Sequence, residues 1–337
     1  MLAWQRIRVL RARPPARIED DDERAAVFVS ALEQAEQLMH AAASVGAAAS
    51  PLLLFYAVSQ AGRAIAAARL DDPWRLSGHG LKAPTPADIS TGLLQRVVKP
   101  EGAGTSKGRR QSFAGVAEAT DSAQLTSALE LGAVWAAIPD LMPPLPQPLR
   151  DGENWIRPLR VFRPAVDAAH VRLADMRPFE LLIDGLPPEA DLDTLRRCLS
   201  YYPAAEGAYM WHTPGMSEDW VVCQPSGIGP LPVFCWPEVP TNVQTRAQRF
   251  EAIAPDYRRL GTHLLLPRAG AQDALSPLML WWALLFGLSS IARYNPETWV
   301  GALAVNDSEL AVPIEAALDT ALDAVPDLIL GALTSRA

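Results

Sequence analysis

The chain has 337 residues, of which 49% are hydrophobic and 20% charged, with a formal net charge of -8. This composition excludes a disordered chain, and the acidic balance argues against extended nucleic-acid binding while leaving a local basic patch open. Three cysteines, Cys198, Cys223 and Cys235, are too few and too unevenly placed for a disulfide framework. Together with the absence of a recognisable signal peptide, they predict a cytoplasmic protein.

The first region, residues 1–148, is predicted to be mostly helical. Acidic residues from Glu19 to Glu23 suit the start of a helix, and helical spacing continues to about Ala43. Ser50-Pro51 is typical of another helix start, and it opens a largely apolar helix over residues 52–70.

A third helix is predicted over residues 121–138, because Pro139 would end it. The proline-rich segment 143–148 then predicts an extended linker and a region boundary.

The second region, residues 149–270, is predicted to be β-rich. Short apolar runs bounded by Pro, Asp and Gly indicate strands, and dense Gly and Pro favour antiparallel hairpins over a doubly wound sheet. A short helix is predicted over residues 192–201. The predicted strands are 159–163, 170–173, 179–183, 220–223, 233–236 and 263–266.

The third region, residues 271–337, returns to helix. Ser276-Pro277 opens an apolar run over residues 278–292, which is shorter than the roughly 20 residues of a membrane span and is stopped by Arg293. Asn295-Pro296 predicts a helix boundary, and a further helix is expected near residues 312–330, with an interruption at Pro326.

The two apolar helices, 52–70 and 278–292, carry too few polar residues to face water, so we expect them to pack on each other. The predicted fold class is therefore α+β and predominantly helical. Its helical core comes from the N- and C-terminal regions, and the β-rich middle region is an insertion between them.

Three segments carry a resemblance to a known family: Ser50 to Val58, Gly78 to Leu81, and Ser289 to Trp299. In these segments the chain resembles the YaaC-like proteins, and the landmarks span most of its length. The resemblance implies a bacterial cytosolic protein, but the family supplies no catalytic set that could be mapped onto these residues. The segment Lys99 to Arg110 is longer than the matching loop expected in the family.

The segment after the second apolar helix holds the first group of ligand-binding candidates, Arg293, Tyr294, Glu297 and Trp299. An arginine offers a planar fork for carboxylate or phosphate. The alternative is a structural role, in which Arg293 is largely buried and forms an ion pair with Glu297 at the helix end.

His79 lies between two glycines and is a further ligand-binding candidate, although a loop histidine that bonds only the backbone is the plainer reading. The basic residues Lys99, Lys107, Arg109 and Arg110 are candidates for phosphate contact, against the alternative of a solvated loop.

No metal site and no cofactor are predicted, because His212, Cys223 and Cys235 lack the paired spacing of zinc ligands and no phosphate-binding glycine loop is present.

His79, Arg293 and Tyr294 are predicted to line one concave site for a small anionic ligand, a nucleotide or a partner's carboxylate. This requires the two apolar helices to run parallel, or the intervening loops to bridge their ends.

Two functions remain open. The first is a non-catalytic binding or protein-interaction module with a protein partner or a second copy of the chain. The alternative is an enzyme acting on a nucleotide or RNA, or a component of a bacterial defence or toxin-like system.

Overall fold

The computed structural model describes residues 2–19, 21–83, 92–101, 108–142, 155–162, 179–186, 192–206, 209–210, 222–223, 231–236, 258–259, 262–268 and 273–334. The chain divides into two compact units. One comprises Met1–Ile156 together with Ala269–Ala337, and the other comprises Arg157–Arg268. The first is mainly helical and the second holds a β-sheet, so the predicted α+β, predominantly helical fold class is confirmed.

The first unit is built from helices of very different lengths. Its described helices are α1 (Leu2–Ala12), α2 (Ala16–Glu19), α3 (Asp22–Ala42), α4 (Ser50–Arg69), α5 (Ser112–Ala119), α6 (Leu131–Ala137), α8 (Pro277–Tyr294), α9 (Pro296–Ala302) and α10 (Ala311–Thr334). Its described strands are β1 (Leu76–Ser77), β2 (Leu81–Lys82), β3 (Val97–Pro100), β4 (Arg110–Gln111) and β5 (Leu129–Glu130).

Helices α4 and α8 pack directly on each other at the centre of this unit, as the sequence predicts. The rings of Phe55 and Phe286 meet edge to face, with centroids 5.3 Å apart. One face of α4 lies so close to α8 that a Cβ atom on Gly62 would lie 2.5 Å from the Trp282 ring. Every residue from Pro277 to Ile291 is buried, which explains why α8 has no polar face.

The contacts also give the direction of the two helices. Gly62 faces Trp282, whereas Phe55, earlier in α4, faces Phe286, later in α8. The helices therefore run in opposite directions. The C-terminal end of α8 lies beside the N-terminal half of α4.

Arg24 on α3 stabilises the C-terminal end of α4. Its guanidinium donates to the carbonyl oxygens of Ala67 and Leu70 at 2.9 and 2.8 Å, and these groups have no partner within the helix. The side chain is buried, and it stacks on Trp74 with 5.0 Å between the guanidinium carbon and the ring centroid. A cation here also complements the negative end of the helix dipole.

The predicted helix over residues 121–138 is wrong. Helix α5 ends before Thr120, Asp121 takes a left-handed conformation with φ 51°, and only residues 131–137 are helical. Leu129 and Glu130 instead pair with Val98 and Val97 as strand β5. Pairing with a distant strand has overridden the local helical spacing.

The C-terminal helices follow the predicted boundary at Asn295-Pro296, where α8 ends and α9 begins. The expected interruption at Pro326 is not found, because α10 continues through it from Ala311 to Thr334. Pro326 is buried on the face of α10 that packs into the core.

The second unit contains strands β6 (Leu159–Phe162), β7 (Phe179–Asp184), β8 (Tyr209–Met210), β9 (Val222–Cys223), β10 (Leu231–Trp236), β11 (Arg258–Arg259) and β12 (Thr262–Leu265), with helix α7 (Leu192–Leu199). The strand order is β11-β12-β6-β7-β10-β8, with β9 paired to β10. All of these pairs are antiparallel, as the sequence predicts, although several of them join strands that are not consecutive in the chain.

Among the described residues, one helix is long and apolar enough to cross a membrane by length and composition, namely α4. Of its apolar window, 72% is buried inside the protein. Burial of this kind is typical of the central helix of a soluble protein.

Candidate functional site

The backbone around His79 is fixed by its two neighbouring glycines. Gly78 and Gly80 have φ values of 60° and 75°, which side-chain-bearing residues rarely adopt. A Cβ atom on Gly80 would lie 2.6 Å from the backbone nitrogen of Phe113. The Ser112 hydroxyl donates to the Gly78 carbonyl at 2.7 Å, and this bond ties the turn to the start of α5. His79 is therefore held by a tight turn.

The imidazole of His79 is half-buried against the two central helices. Its ring centroid lies 5.4 Å from that of Phe55 and 6.0 Å from that of Phe286. The Nδ1 atom is buried and has no hydrogen-bond partner in the described part of the chain. The other ring nitrogen, Nε2, is thus the one left for a ligand.

The pKa of His79 is lowered below its ordinary value of 6.5. Burial is the main cause, because it penalises the charged form, and the positive charge of Arg293 is the next. Arg63 lowers the pKa further, whereas the carboxylate of Glu101 opposes the shift. The imidazole is therefore neutral at pH 7.

Arg293 does not occupy the buried position that the ion-pair interpretation requires. Its side chain is exposed, and it forms no ion pair with Glu297 or another described carboxylate. Instead its guanidinium donates to the hydroxyl of Tyr56 at 3.2 Å and to that of Tyr294. The guanidinium carbon also lies 4.3 Å from the centroid of the Tyr294 ring. The expected buried pair is wrong.

The physical reason lies at Asn295. Its backbone, with φ -135° and ψ 59°, separates α8 from α9, so Arg293 and Glu297 do not share one helix. The spacing of four residues brings side chains together only along a continuous helix. Glu297 is exposed in the first turn of α9.

His79, Arg293 and Tyr294 belong to one neighbourhood even though the central helices run in opposite directions. After α4 ends, the chain returns along that helix through β1 and the Gly78–Gly80 turn, so His79 lies again beside Phe55. Arg293 reaches the adjacent residue, Tyr56. The intervening segment thus bridges the helix ends. We call the surface formed by Tyr56, His79, Arg293 and Tyr294 the His79–Arg293 face.

Trp299 is buried and is not part of the exposed surface of this face. It is 1% exposed, and its indole N–H lies 3.2 and 3.1 Å from the carbonyl oxygens of Ala47 and Ala48 in the α3–α4 connection, to which it donates. These bonds satisfy backbone groups that otherwise lack partners, so the indole has a structural position.

The predicted basic segment is divided in the structure. Lys99 on β3 and Arg109 are exposed, which is the position that contact with a ligand needs. Arg110 instead donates to the Pro73 carbonyl at 2.7 Å and pairs with Glu118. Lys107 lies outside the described residues.

Two residues of the site were not singled out from the sequence, Tyr56 and Arg63. Both lie on α4, seven residues apart, which places them on the same side of the helix two turns from each other. They are exposed members of an otherwise largely buried helix, with Tyr56 37% exposed. That contrast of polar residues on an apolar helix is the signal that could have identified them.

A separate cleft of about 510 Å³ lies between α1 and α3, lined by Arg8, Arg11, Glu33 and Glu36 among others. Its charges pair internally: Arg8 and Arg11 both contact Glu36, and Arg11 also pairs with Glu33. Within the described ranges, no three His, Cys, Asp or Glu side chains lie close enough together to hold a metal ion.

We expect the pKa of His79 to lie below the ordinary histidine value of about 6.5. Arg293→Ala should raise the pKa of His79, because the substitution removes a neighbouring positive charge. A folded-state pKa below the unfolded value means that the unfolded chain takes up the proton first. Stability is therefore lost as the pH falls through the unfolded value towards the folded one. Proton NMR of the imidazole, assigned with His79→Asn, measures the midpoint; a midpoint at 6.5 that Arg293→Ala leaves unchanged contradicts this.

The fold and the site define a predominantly helical α+β protein that presents an arginine, two tyrosines and a neutral histidine on one face of its helical core. The family model of the YaaC-like proteins matches residues 8–179 and 225–333, which is more than half of the chain. The chain therefore belongs to the YaaC-like protein family. No curated protein and no solved structure matches it.

Proposed function

We propose that this YaaC-like protein is a non-catalytic binding module of the bacterial cytosol that recognises a phosphate or carboxylate group at the His79–Arg293 face. The main support for the proposal is the environment of the Arg293 side chain. This side chain is an exposed cation whose described partners, Tyr56 and Tyr294, are both neutral. Its charge is thus free to meet an anion, and its planar donors suit a carboxylate or a phosphate.

The neighbouring groups are complementary to the same ligand. Each tyrosine hydroxyl accepts from Arg293 and keeps its own O–H available as a donor. The His79 ring is neutral, so it can donate from Nε2 without adding a fixed charge. The face therefore offers several donors around a single cation. The ligand is a free anion or the carboxylate of a protein partner, including a second copy of the chain.

Isothermal titration calorimetry with inorganic phosphate, AMP and citrate tests this proposal. We expect Arg293→Ala to weaken binding by about 10-fold or more, since a hydrogen bond to a charged group contributes about 1.5–3 kcal/mol. Arg6→Ala is the matched control, because Arg6 is an exposed arginine on α1 and its loss removes the same charge. Equal affinity in Arg293→Ala and the wild type would show that the face is not the site.

Native mass spectrometry separates the two sources of the anion. A copurifying small molecule that is lost in Arg293→Ala supports a free ligand. A dimer or mixed assembly that dissociates in the same variant supports a protein carboxylate. An assembly unaffected by the substitution would argue that any partner uses another surface.

A second function, an enzyme acting on a nucleotide or RNA, is favoured by one observation. His79 is a neutral base beside the cations Arg293 and Arg63, and a neutral imidazole near positive charge can remove a proton while the arginines stabilise a developing negative charge. A role in a bacterial defence or toxin-like system would follow from such an activity. Incubation with nucleotides and RNA tests it: turnover should be lost in His79→Asn while binding is retained.

A further inference from the structure

The His79–Arg293 face continues into a second group of cations. A cleft of about 70 Å³ is lined by Arg63, Arg75 and Arg109, together with Val27, Trp74 and Leu76. Arg75 is paired with Glu23 and stacks on Trp74, but Arg63 and Arg109 are exposed and form no described ion pair. Arg63 also lies on the same side of α4 as Tyr56, two turns further along the helix. It therefore connects this cleft to the face.

A further pair of cations lies beyond the Gly78–Gly80 turn. Lys82 on β2 and Lys99 on β3 are directly opposite each other in an antiparallel pair, and both are exposed. Like charges in this position repel and weaken the pairing of the strands. Glu101, directly after β3, is the described carboxylate closest in sequence to Lys99. The positive charges are thus concentrated locally in a chain whose formal net charge is -8.

Exposed aromatic rings lie within the same cationic surface. Tyr294 is 62% exposed and Tyr56 37% exposed, and Arg293 connects their hydroxyls. Rings that are accessible beside arginine side chains provide stacking surfaces for nucleic-acid bases. An acidic peptide would contact the cations, but it has no bases to stack on these rings.

The spacing indicates a ligand with more than one anionic group. Tyr56 of the face and Arg63 of the cleft are seven residues apart on α4, about 10 Å along the helix axis. Successive phosphates of a nucleic-acid strand can contact cations placed along such a distance.

We infer that Arg63, Arg109, Lys82 and Lys99 extend the His79–Arg293 face into a track for a short single-stranded nucleic acid. This inference rests on the proposed function, because one phosphate of the strand occupies the place assigned there to the anion. The adjacent phosphates contact the flanking cations, and a base stacks on Tyr294. Only a few nucleotides are held, which is compatible with an acidic protein.

Fluorescence anisotropy with 5′-phosphorylated, 3′-labelled oligouridines of one, two, four and eight nucleotides, which carry one phosphate per nucleotide, tests the track. Affinity should rise from one to four nucleotides and then level off. The plot of log K against log salt should have a slope of about -3 for four phosphate contacts, since each contributes about -0.7 on a single strand. Arg109→Ala and Lys99→Ala should each reduce the slope by about 0.7, whereas Arg6→Ala should leave it unchanged.

Tyr294→Leu should weaken oligouridine binding by about fivefold or more, as stacking of one base contributes about 1–3 kcal/mol. Tyr294→Phe keeps the ring and loses only the hydroxyl, so oligouridine should bind Tyr294→Phe more tightly than Tyr294→Leu. A polyglutamate peptide should not distinguish the two variants. Equal binding of oligouridine by the two variants would mean that no base stacks on this ring and would overturn the inference.

The length series also separates this inference from the proposed function. If the mononucleotide binds through Arg293 but four nucleotides bind no more tightly, the track is wrong and the anion site stands. If four nucleotides bind through Arg109 while Arg293→Ala has no effect on any length, the track binds nucleic acid but the proposed anion site is wrong. The inference as stated then fails with it.

Discussion

Replacing Trp299 by alanine is expected to lower the free energy of unfolding by about 3–5 kcal/mol, the range measured when a buried aromatic side chain is removed from a core. The ring is 1% exposed, so alanine would leave a cavity. The substitution would also remove the donor that serves the carbonyl oxygens of Ala47 and Ala48. Both losses affect the connection that positions α4.

Val300→Ala is the matched control for this prediction. Val300 is the next residue of α9 and is 58% exposed, so its truncation should change stability by less than about 0.5 kcal/mol. Urea denaturation of both variants gives the comparison. If Trp299→Ala unfolds at the wild-type urea concentration but no longer binds the anion, then Trp299 contacts ligand and the structural assignment fails.

The parts of the fold that the sequence predicts are those with a local cause. Pro51, Pro277 and Pro296 each lie in the first turn of a helix, where the missing N–H costs nothing. The uniformly apolar helices 52–70 and 278–292 can satisfy their hydrophobic surface only by packing together, so their contact is also predictable.

The arrangement of the candidate site depends on contacts between residues that are far apart in the sequence, and local patterns do not encode such contacts. Nothing in residues 70–80 says that this segment turns back along α4, yet that return places His79 beside Phe55. The sequence groups Arg293 with Trp299 as ligand-binding candidates, but the structure separates them for a similar reason. One break at Asn295 leaves Arg293 on the surface while Trp299 is buried, although both are amphipathic residues six positions apart.

The predicted helix over 121–138 illustrates the same limit. Its apolar spacing fits a helix, but Leu129 and Glu130 find partners on β3, more than 30 residues earlier in the chain. A backbone that pairs across the fold gains hydrogen bonds that no local propensity reports.

A second large effect on stability is expected at Gly62, where α4 is in close contact with α8. In Gly62→Ala, the new methyl group would lie 2.5 and 2.6 Å from two ring carbons of Trp282 and 2.9 Å from Val116. Trp282 is fully buried, so its ring has no space into which to move. Overpacking of this kind costs about 1–3 kcal/mol and occasionally more.

A helix propensity gain of at most about 1 kcal/mol opposes that cost, because alanine is the better helix former. We therefore expect Gly62→Ala to destabilise the protein by about 1–2 kcal/mol. Gly331→Ala isolates the propensity term, since Gly331 also lies within a helix but a Cβ atom there would meet nothing within 4 Å. That control should be stabilised by about 0.5–1 kcal/mol.

The melting temperature and the urea midpoint should thus shift in opposite directions in the two variants, relative to the wild type. Gly62→Ala tests the packing of the helices that carry Tyr56 and Arg293, so its loss of stability should be accompanied by weaker binding of the anion if the face depends on their close approach. Two variants that are both stabilised would mean that α4 and α8 are farther apart than the contact at Gly62 requires. The hydrogen bond between Tyr56 and Arg293 would then no longer lie over two closely packed helices.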